Sequence, residues 1–318
     1  MLGAVLFVYK GEWGLPSIDL ECLRSLCLIK FTRCPVHVET SKCNPFYSSQ
    51  GKLPYLQIGS EKFVGYEKIK AAIEKEGYAI DGKLSKWEDR FRSEAYTNLV
   101  FQNLHPYHYY FLFGEPNNYE KTRALYAKRT PFPFNFYYPS QYHKEAEEVV
   151  NVFGGFDIYD KLENHDSEYF IVNAKKCINM LSRKLANKIW FFGDSYSELD
   201  TIVYSYLSIL LNINLPNNPI QVHIKECHNI VNFINRITKD IFQREGLSSV
   251  KHLENDHLMT PSEREFMASK KTIQILAALF AILAMGGYAI TSGILNVTFD
   301  RNQGDDVYIY DDDDDGED

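Results

Sequence analysis

The chain has 318 residues, of which 45% are hydrophobic, 24% charged and 14% aromatic. This balance is typical of a folded globular protein and excludes a largely disordered, collagen-like or coiled-coil chain. The net charge of −8 is confined to the C-terminal end, because residues 296–318 contain ten acidic side chains and one basic one. Residues 1–295 contain 33 basic and 32 acidic side chains, so the chain lacks the charge excess of a nucleic-acid-binding protein.

The six cysteines indicate a reducing compartment. They follow irregular spacings without a C-x-x-C pair, which argues against a zinc ribbon and against a thioredoxin-type redox centre. The first nine residues have no basic start of the kind that precedes a secretory signal. We therefore expect reduced thiols in a cytosol-like compartment.

The first eighty residues alternate between strand and helix patterns. Residues 4–9 form an apolar run of strand length, and Ser17 is a suitable N-cap for the helix that follows. Residues 36–40 alternate like a half-exposed strand, and residues 56–64 form a hairpin around Gly59-Ser60. A helix then runs through residues 69–77. This order predicts that residues 1–80 are a thioredoxin-like α/β domain.

Helix patterns alone continue over residues 84–243. Ser85 is predicted to open a long helix that reaches Leu104, and Asn118 is predicted to cap the next one. Further helices are predicted over residues 170–185 and 220–242. Ser197-Glu198-Leu199-Asp200 is an N-terminal capping box that opens another apolar helix. The second part is therefore predicted to be all-helical.

An aromatic segment punctuated by proline, residues 131–139, lies within this part and is predicted not to be a regular helix. Two interpretations are open. The aromatic side chains either pack between the two domains or form a partner-binding patch, since aromatic residues dominate the anchors of protein interfaces.

The C-terminal end predicts a tail anchor. Residues 272–295 contain no charge over 24 positions, which as a helix is about 36 Å and spans a bilayer core. Residues 244–271 form a polar linker that ends in Lys270 and Lys271, and this basic flank predicts that the N-terminal domains face the cytosol. Residues 296–318 are then predicted to be a disordered acidic tail.

Two short motifs resemble the glutathione-transferase fold. One is Leu53-Pro54-Tyr55-Leu56, and the other is Gly193-Asp194 followed by the box at Ser197 and Asp200. The resemblance implies a thioredoxin-like domain followed by a helical domain. It also implies that Pro54 is cis and that the box starts the core helix of the helical domain.

Three further segments, residues 13–17 (Trp-Gly-Leu-Pro-Ser), 131–136 (Pro-Phe-Pro-Phe-Asn-Phe) and 191–194 (Phe-Phe-Gly-Asp), resemble the metaxin family. Together with the C-terminal apolar segment, they resemble its membrane-anchored member. The resemblance implies a cytosol-facing protein of the mitochondrial outer membrane that acts in protein import. The implied partners are a second, soluble metaxin and the machinery that sorts and assembles outer-membrane β-barrel proteins.

The alternative function is a tail-anchored, glutathione-dependent transferase. Transferases hold the γ-glutamyl carboxylate of glutathione at a Glu/Gln-Ser pair, and Tyr66 and Glu67 stand at the matching positions. A carboxylate at this position repels an anion. Two alternatives remain open: Glu67 faces solvent, or Lys68 binds a different anion. The thiol-activating residue is also unclear, with Tyr9 and Ser17 as the nearest candidates.

We therefore predict a protein that is not an enzyme and that has no catalytic residue, cofactor or metal. Two pairs of histidines lack cysteine or carboxylate partners at ligand spacing: His105 and His108, and His223 and His228. No phosphate-binding glycine loop is present either.

Overall fold

A computed structural model describes residues 3–41, 44–80, 86–154, 167–193, 195–216 and 218–243. These residues all fall within one compact unit, residues 1–249. They form four strands and nine α-helices that share one hydrophobic core. The predicted linker, transmembrane helix and acidic tail lie outside the described residues, as does the predicted boundary near residue 82.

A four-stranded sheet forms the core of the N-terminal part. Its strands are β1 (Val5–Phe7), β2 (His37–Glu39), β3 (Tyr55–Ile58) and β4 (Glu61–Val64), in the order β2-β1-β3-β4. Strand β2 is parallel to β1, whereas β3 is antiparallel to both β1 and β4. The fully buried Leu6 lies opposite Val38 on one side and Leu56 on the other. The four strands and the hairpin turn at Gly59 agree with the prediction.

Two helices accompany this sheet, α1 (Leu20–Thr32) and α2 (Tyr66–Lys75). The prediction of Ser17 as the N-cap of α1 is wrong, because the helix begins three residues later. The Asp19 carboxylate accepts the Cys22 N–H at 3.0 Å, while the buried Ser17 Oγ accepts the Asp19 N–H at 3.3 Å. Both residue types are good N-caps, so the packing of the preceding segment decides between them.

Among the described residues, seven further helices form the helical part, with α7 at its centre. Their bounds are α3 (Trp87–Tyr109), α4 (Pro116–Arg129), α5 (Phe134–Gly154), α6 (Ser167–Leu185), α7 (Glu198–Asn212), α8 (Pro219–Glu226) and α9 (His228–Ile237). Every residue of α7 from Leu199 to Leu211 is buried, because α1, α3, α8 and α9 all contact it. A helix that is apolar on all sides needs such a central position.

Short irregular helices complete the structure. A 3₁₀-helix spans Pro45–Tyr47, and wide π-helical turns follow α3 at Tyr110–Gly114 and α9 at Thr238–Gln243.

The predicted helix starts at Ser85 and Asn118 differ from those observed. Helix α3 begins at Trp87 after Lys86, which makes no side-chain cap, and Ser85 lies outside the described residues. Helix α4 is capped by Glu115, whose carboxylate accepts the N–H of Asn118 at 2.7 Å. Asn118 instead turns inward and donates its side-chain amide to the Phe111 carbonyl at 3.0 Å.

Helix α5 contradicts the prediction that residues 131–139 are not helical. Only Pro131 to Pro133 lie before the helix, and Pro139 lies inside it. A proline at this position removes one backbone hydrogen bond, the one to the carbonyl of Asn135. Burial of Tyr138, Tyr142 and further residues of this helix compensates for that loss.

The single helix predicted over residues 220–242 is in fact two helices. Cys227 leaves the helical conformation between α8 and α9, with φ −86° and ψ 76°. Neither glycine nor proline marks this break. It allows the two helices to bury separate apolar faces, which contain Ile220 and Ile224 in α8 and Phe233 and Ile237 in α9.

Candidate functional site: a filled anion position and an exposed aromatic patch

The N-terminus of α2 is the position at which a glutathione transferase would hold the γ-glutamyl carboxylate of its substrate. Gly65 precedes this helix with φ 83°, a left-handed conformation that favours glycine. The next residue, Tyr66, has one of the backbone N–H groups that no carbonyl within the helix can accept. Such a group is a ready-made binding point for an anion.

A side chain of the protein itself fills this anion position. Glu21 Oε2 accepts the Tyr66 N–H at 3.3 Å, and Glu21 Oε1 accepts from Arg24 Nη1 at 2.8 Å. The Arg24 guanidinium lies 3.9 Å from the centre of the Tyr66 ring and is only 13% exposed. Glu21 therefore already provides the negative charge that a bound substrate would bring, and a second carboxylate would be repelled.

Glu67 has a smaller part in this arrangement than the sequence indicated. Its carboxylate is 74% exposed and lies 3.3 Å from Arg24 Nη2 at the surface. The carboxylate that fills the position is that of Glu21, which the sequence analysis missed. The spacing of Glu21 and Arg24 is that of a helical ion pair, but no local signal places them beside Tyr66.

Tyr9, a candidate for thiol activation, is fully buried in an aromatic cluster. Its hydroxyl lies 2.9 Å from the hydroxyl of Tyr142, and its ring meets that of Tyr126 edge-on at 5.2 Å. Burial raises the pKa of Tyr9 well above its ordinary value. The hydroxyl is thus protonated, bonded and closed off from solvent, which does not suit the activation of a thiol.

Asp19 joins the same cluster from the start of α1. One oxygen of its carboxylate caps the helix, and the other accepts from the Tyr126 hydroxyl at 3.3 Å. Burial raises the pKa of Asp19 to about 6. The groups of this cluster bond to one another, so it joins the sheet part to α4 and α5 rather than facing a cavity.

Pro54, Ser197 and Asp200, which the sequence analysis connected with the fold, bond to neighbouring parts of the backbone or to each other. The Leu53–Pro54 peptide is cis, and the Pro54 carbonyl accepts the Gly65 N–H at 3.0 Å. Asp200 accepts from Ser197 N at 2.8 Å, from Ser197 Oγ at 2.7 Å and from Phe191 N at 3.0 Å. Burial raises the pKa of Asp200 to about 6. Lys270 and Lys271 lie outside the described residues.

An exposed aromatic patch lies on another part of the surface. We define the aromatic patch as Phe46, Tyr47, Phe132, Phe134, Phe136 and Tyr137. All except the half-buried Phe134 are between 56% and 63% exposed. Phe134 stacks on Phe46 at 4.6 Å and so joins the 3₁₀-helix to the start of α5.

The interpretation that the aromatic segment packs between the two parts holds for Tyr138, and the partner-binding interpretation stays a prediction for the exposed side chains. Tyr138 packs inward against Gly51, where a Cβ atom would lie 3.2 Å from the tyrosine ring. Phe132 and Phe136, which meet edge-on at 6.3 Å, remain exposed. Exposed aromatic clusters of this kind are candidates for an interaction surface.

Comparisons with known proteins identify the family. A "Metaxin-1 homolog" of Drosophila melanogaster is 58% identical, with 98% of this chain and 97% of that protein covered. "Metaxin-1" of Mus musculus is 32% identical over 92% of this chain and 91% of its own length. The chain belongs to the metaxin family.

Family models agree with this assignment. The model described as an outer mitochondrial membrane transport complex protein matches residues 22–143, and the C-terminal domain of glutathione S-transferase matches residues 174–237. These matches support a general role for this metaxin-family chain in protein import at the mitochondrial outer membrane.

The solved structures support the fold alone. The β-etherase LigF from Sphingobium aligns with a TM-score of 0.50 at 11% identity, over 77% of this chain and 100% of that one. The expectation of a glutathione-transferase-like fold is confirmed by this likeness and by the family match. Among the described residues, no helix has both the length and the apolar character needed to cross a bilayer.

Proposed function

We propose that the chain is a tail-anchored interaction protein, not an enzyme, that helps to sort and assemble β-barrel proteins at the mitochondrial outer membrane. Residues 272–295 provide the anchor, and residues 296–318 reach the intermembrane side. Residues 1–80 and 84–243 face the cytosol on the polar linker 244–271. Family membership and the uncharged 24-residue segment support this arrangement.

The observation that carries the non-enzymatic part of the proposal is the position of the Glu21 carboxylate. It bonds to the Tyr66 N–H and to Arg24, the groups that a substrate anion would need. The tyrosine nearest to the expected catalytic position is buried and bonded to Tyr142. A transferase fold whose anion position and hydroxyl are both occupied by its own side chains is suited to binding proteins rather than to conjugating thiols.

A thermal-shift experiment with the full chain in detergent tests this conclusion. Glutathione at millimolar concentration is expected to leave the melting temperature unchanged, because a ligand stabilises only the state that it binds. Glu21→Ala should free the Tyr66 N–H and Arg24 Nη1, so that sulfate raises the melting temperature of the variant more than that of the wild type. Glu67→Ala, which leaves Glu21 in place, is the matched control.

A clear rise of the wild-type melting temperature with glutathione, together with conjugating activity, would instead support the alternative function of a tail-anchored transferase. No contact among the described residues favours that alternative.

The proposed partners are a second, soluble metaxin and the β-barrel assembly machinery of the outer membrane. We expect both to be retained with the affinity-tagged full chain when mitochondria are solubilised in mild detergent. Mitochondria depleted of the chain should import β-barrel precursors but assemble them more slowly. Normal assembly after complete depletion would contradict the proposed role.

A further inference from the structure

The aromatic patch carries an inference beyond the binding of proteins. Its exposed rings come from two segments that are far apart in sequence, the 3₁₀-helix Pro45–Tyr47 and the start of α5. Five of its six rings are exposed, and the stacked pair Phe46 and Phe134 joins the two segments.

The two segments that contain the patch are basic, although an acidic residue borders each of their ends. Residues 40–60 and 121–144, which contain the whole patch, have seven basic side chains and no acidic one. In contrast, residues 1–295 as a whole are close to neutral. Lys62 Nζ also reaches the patch and donates to the Tyr47 carbonyl at 2.6 Å.

Acidic groups reduce this excess to a smaller one. Glu145 pairs with Lys52 at 2.8 Å and Glu12 pairs with Arg129, which is only 12% exposed, so two of the seven basic side chains are already neutralised. Glu120 and Glu147 line a groove of about 700 Å³ between α4 and α5, which they share with Arg123 and Phe136. Lys128, four residues before Phe132, is exposed.

An anionic bilayer surface fits this combination better than a folded protein does. Phenylalanine and tyrosine rings partition to the headgroup level of a membrane, and lysine and arginine are attracted to anionic lipids from the cytosolic side. Lipid phosphates can adjust to cations at irregular spacings, whereas a protein partner needs charges at matching positions.

The chain also has the reach for such a contact. The 28 residues 244–271 can extend to at most about 100 Å, which limits how far the folded part can lie from residue 272. An anchor at residue 272 therefore keeps the folded part at an effective concentration on the order of millimolar near the bilayer. Weak contacts of a few aromatic and basic side chains are enough at that concentration.

We propose that the aromatic patch docks on the anionic surface of the membrane in which the chain is anchored, with the exposed rings at headgroup level and the surrounding lysines and arginines near lipid phosphates. This inference rests on the proposed tail anchor. Docking would hold the folded part against the bilayer in one orientation, with the opposite surface turned toward protein partners.

The test uses the full chain reconstituted in vesicles. Cys43 and Cys227 are first replaced by serine, since the other cysteines are buried and react slowly. A fluorophore is then attached at Ser140→Cys, one helical turn after Phe136, or at the control position Val222→Cys on α8, which is 61% exposed. The vesicles are phosphatidylcholine alone, or phosphatidylcholine with one lipid in five replaced by phosphatidylinositol, and contain acyl-chain-brominated lipid as quencher.

Quenching at position 140 is expected to be severalfold stronger in the phosphatidylinositol vesicles than in the neutral ones, and to weaken with added salt. Position 222 should show no such difference. Phe132→Ser with Phe136→Ser should abolish the quenching, and Arg123→Glu with Lys128→Glu should remove its lipid dependence. Trp87→Ser with Phe91→Ser, a matched loss of two rings that are 71% and 70% exposed on α3, should leave it unchanged.

Equal quenching at position 140 in both kinds of vesicle, or none in either, overturns the proposal. The proposal is also overturned if the fluorophore at position 140 becomes shielded from solvent only when a protein partner is added, because the patch is then a protein interface. Alkaline extraction of the same vesicles separates this failure from failure of the anchor. A chain that resists extraction without quenching at position 140 retains the anchor and lacks the docking, whereas an extracted chain contradicts the anchor itself.

Discussion

Two carboxylates that bond within the fold decide the chemistry of this molecule at the scale of single residues. Glu21 neutralises Arg24 and accepts the first N–H of α2, while Asp19 caps α1 and accepts from the Tyr126 hydroxyl. Glu21 is held by the groups that would meet a substrate anion on a transferase scaffold, whereas Asp19 joins α1 to α4. The site is therefore closed by bonds between its own side chains rather than by a loss of polar residues.

The buried Asp19 is expected to make stability depend on pH. Its pKa is about 6 in the folded protein against 3.8 for a free side chain, so the folded state holds the proton more tightly. Between pH 4 and pH 6 the unfolded chain releases this proton first, and the contribution of Asp19 to stability falls by up to about 3 kcal/mol. Above pH 6 both states are ionised and the contribution is constant.

Chemical denaturation of the full chain and of Asp19→Asn from pH 4 to pH 7 checks this expectation. The asparagine can still accept the Cys22 N–H but does not titrate. The stability of the variant relative to the wild type should rise from pH 4 to pH 6 and then level off. Asp200 is present in both proteins, so its own titration cancels in the difference. A difference that does not change with pH would contradict the assigned role of Asp19.

At the scale of elements, α7 is the centre of the helical part. Its residues are buried from Leu199 to Leu211, so solvent cannot satisfy the free N–H groups at its start. The capping box of Ser197 and Asp200 does so, and the Phe191 N–H bonded to Asp200 ties the preceding segment to the same point. A local sequence signal thus determines where the central helix begins.

Removal of this cap has a predictable cost. Ser197→Ala should destabilise the protein by about 1 kcal/mol, because the alanine cannot complete the box. Thermal unfolding of the full chain should show a decrease of about 2 to 4 °C in melting temperature for a folded part of this size.

Ser195→Ala, at a half-buried position just before the box, is the matched control for Ser197→Ala. Its melting temperature should equal that of the wild type. Equal melting temperatures for all three proteins would show that Ser197 does not cap α7.

At the scale of the whole molecule, the folded part and the uncharged segment are suited to different solvents. Protease added to intact mitochondria should remove the N-terminal bulk and leave a small C-terminal fragment protected by the membrane. This orientation is expected because Lys270 and Lys271 precede the uncharged segment, and basic residues favour the cytosolic side of a span. The fragment can be detected with an epitope placed after Asp318.

The control for the protease experiment is a protein of the intermembrane space, which must stay intact until the outer membrane is ruptured. Protection of the N-terminal domains until that rupture would reverse the proposed orientation. Deletion of residues 272–318 should release the folded part into the cytosol in a soluble form, because the described residues bury a hydrophobic core of their own within one compact unit, residues 1–249.

The sequence by itself determined the features that depend on neighbours along the chain. The hairpin follows from the two-residue turn at Gly59, and the start of α7 follows from the spacing of Ser197 and Asp200. The order of strands and helices along the first eighty residues agrees with the alternating patterns. The family could also be recognised, because its motifs are short stretches of consecutive residues.

Only the tertiary structure decided the contacts between residues that are far apart. Glu21 meets the Tyr66 N–H across 45 positions, and Tyr9 meets Tyr142 across 133. It also decided that Asp19 rather than Ser17 caps α1 and that a helix continues through Pro139. Propensities and caps act within about one helical turn, and their differences of about 1 kcal/mol are smaller than the effect of burying several aromatic rings. Packing therefore overrides the local sequence signal wherever the two conflict, as it does at the start of α1 and at Pro139.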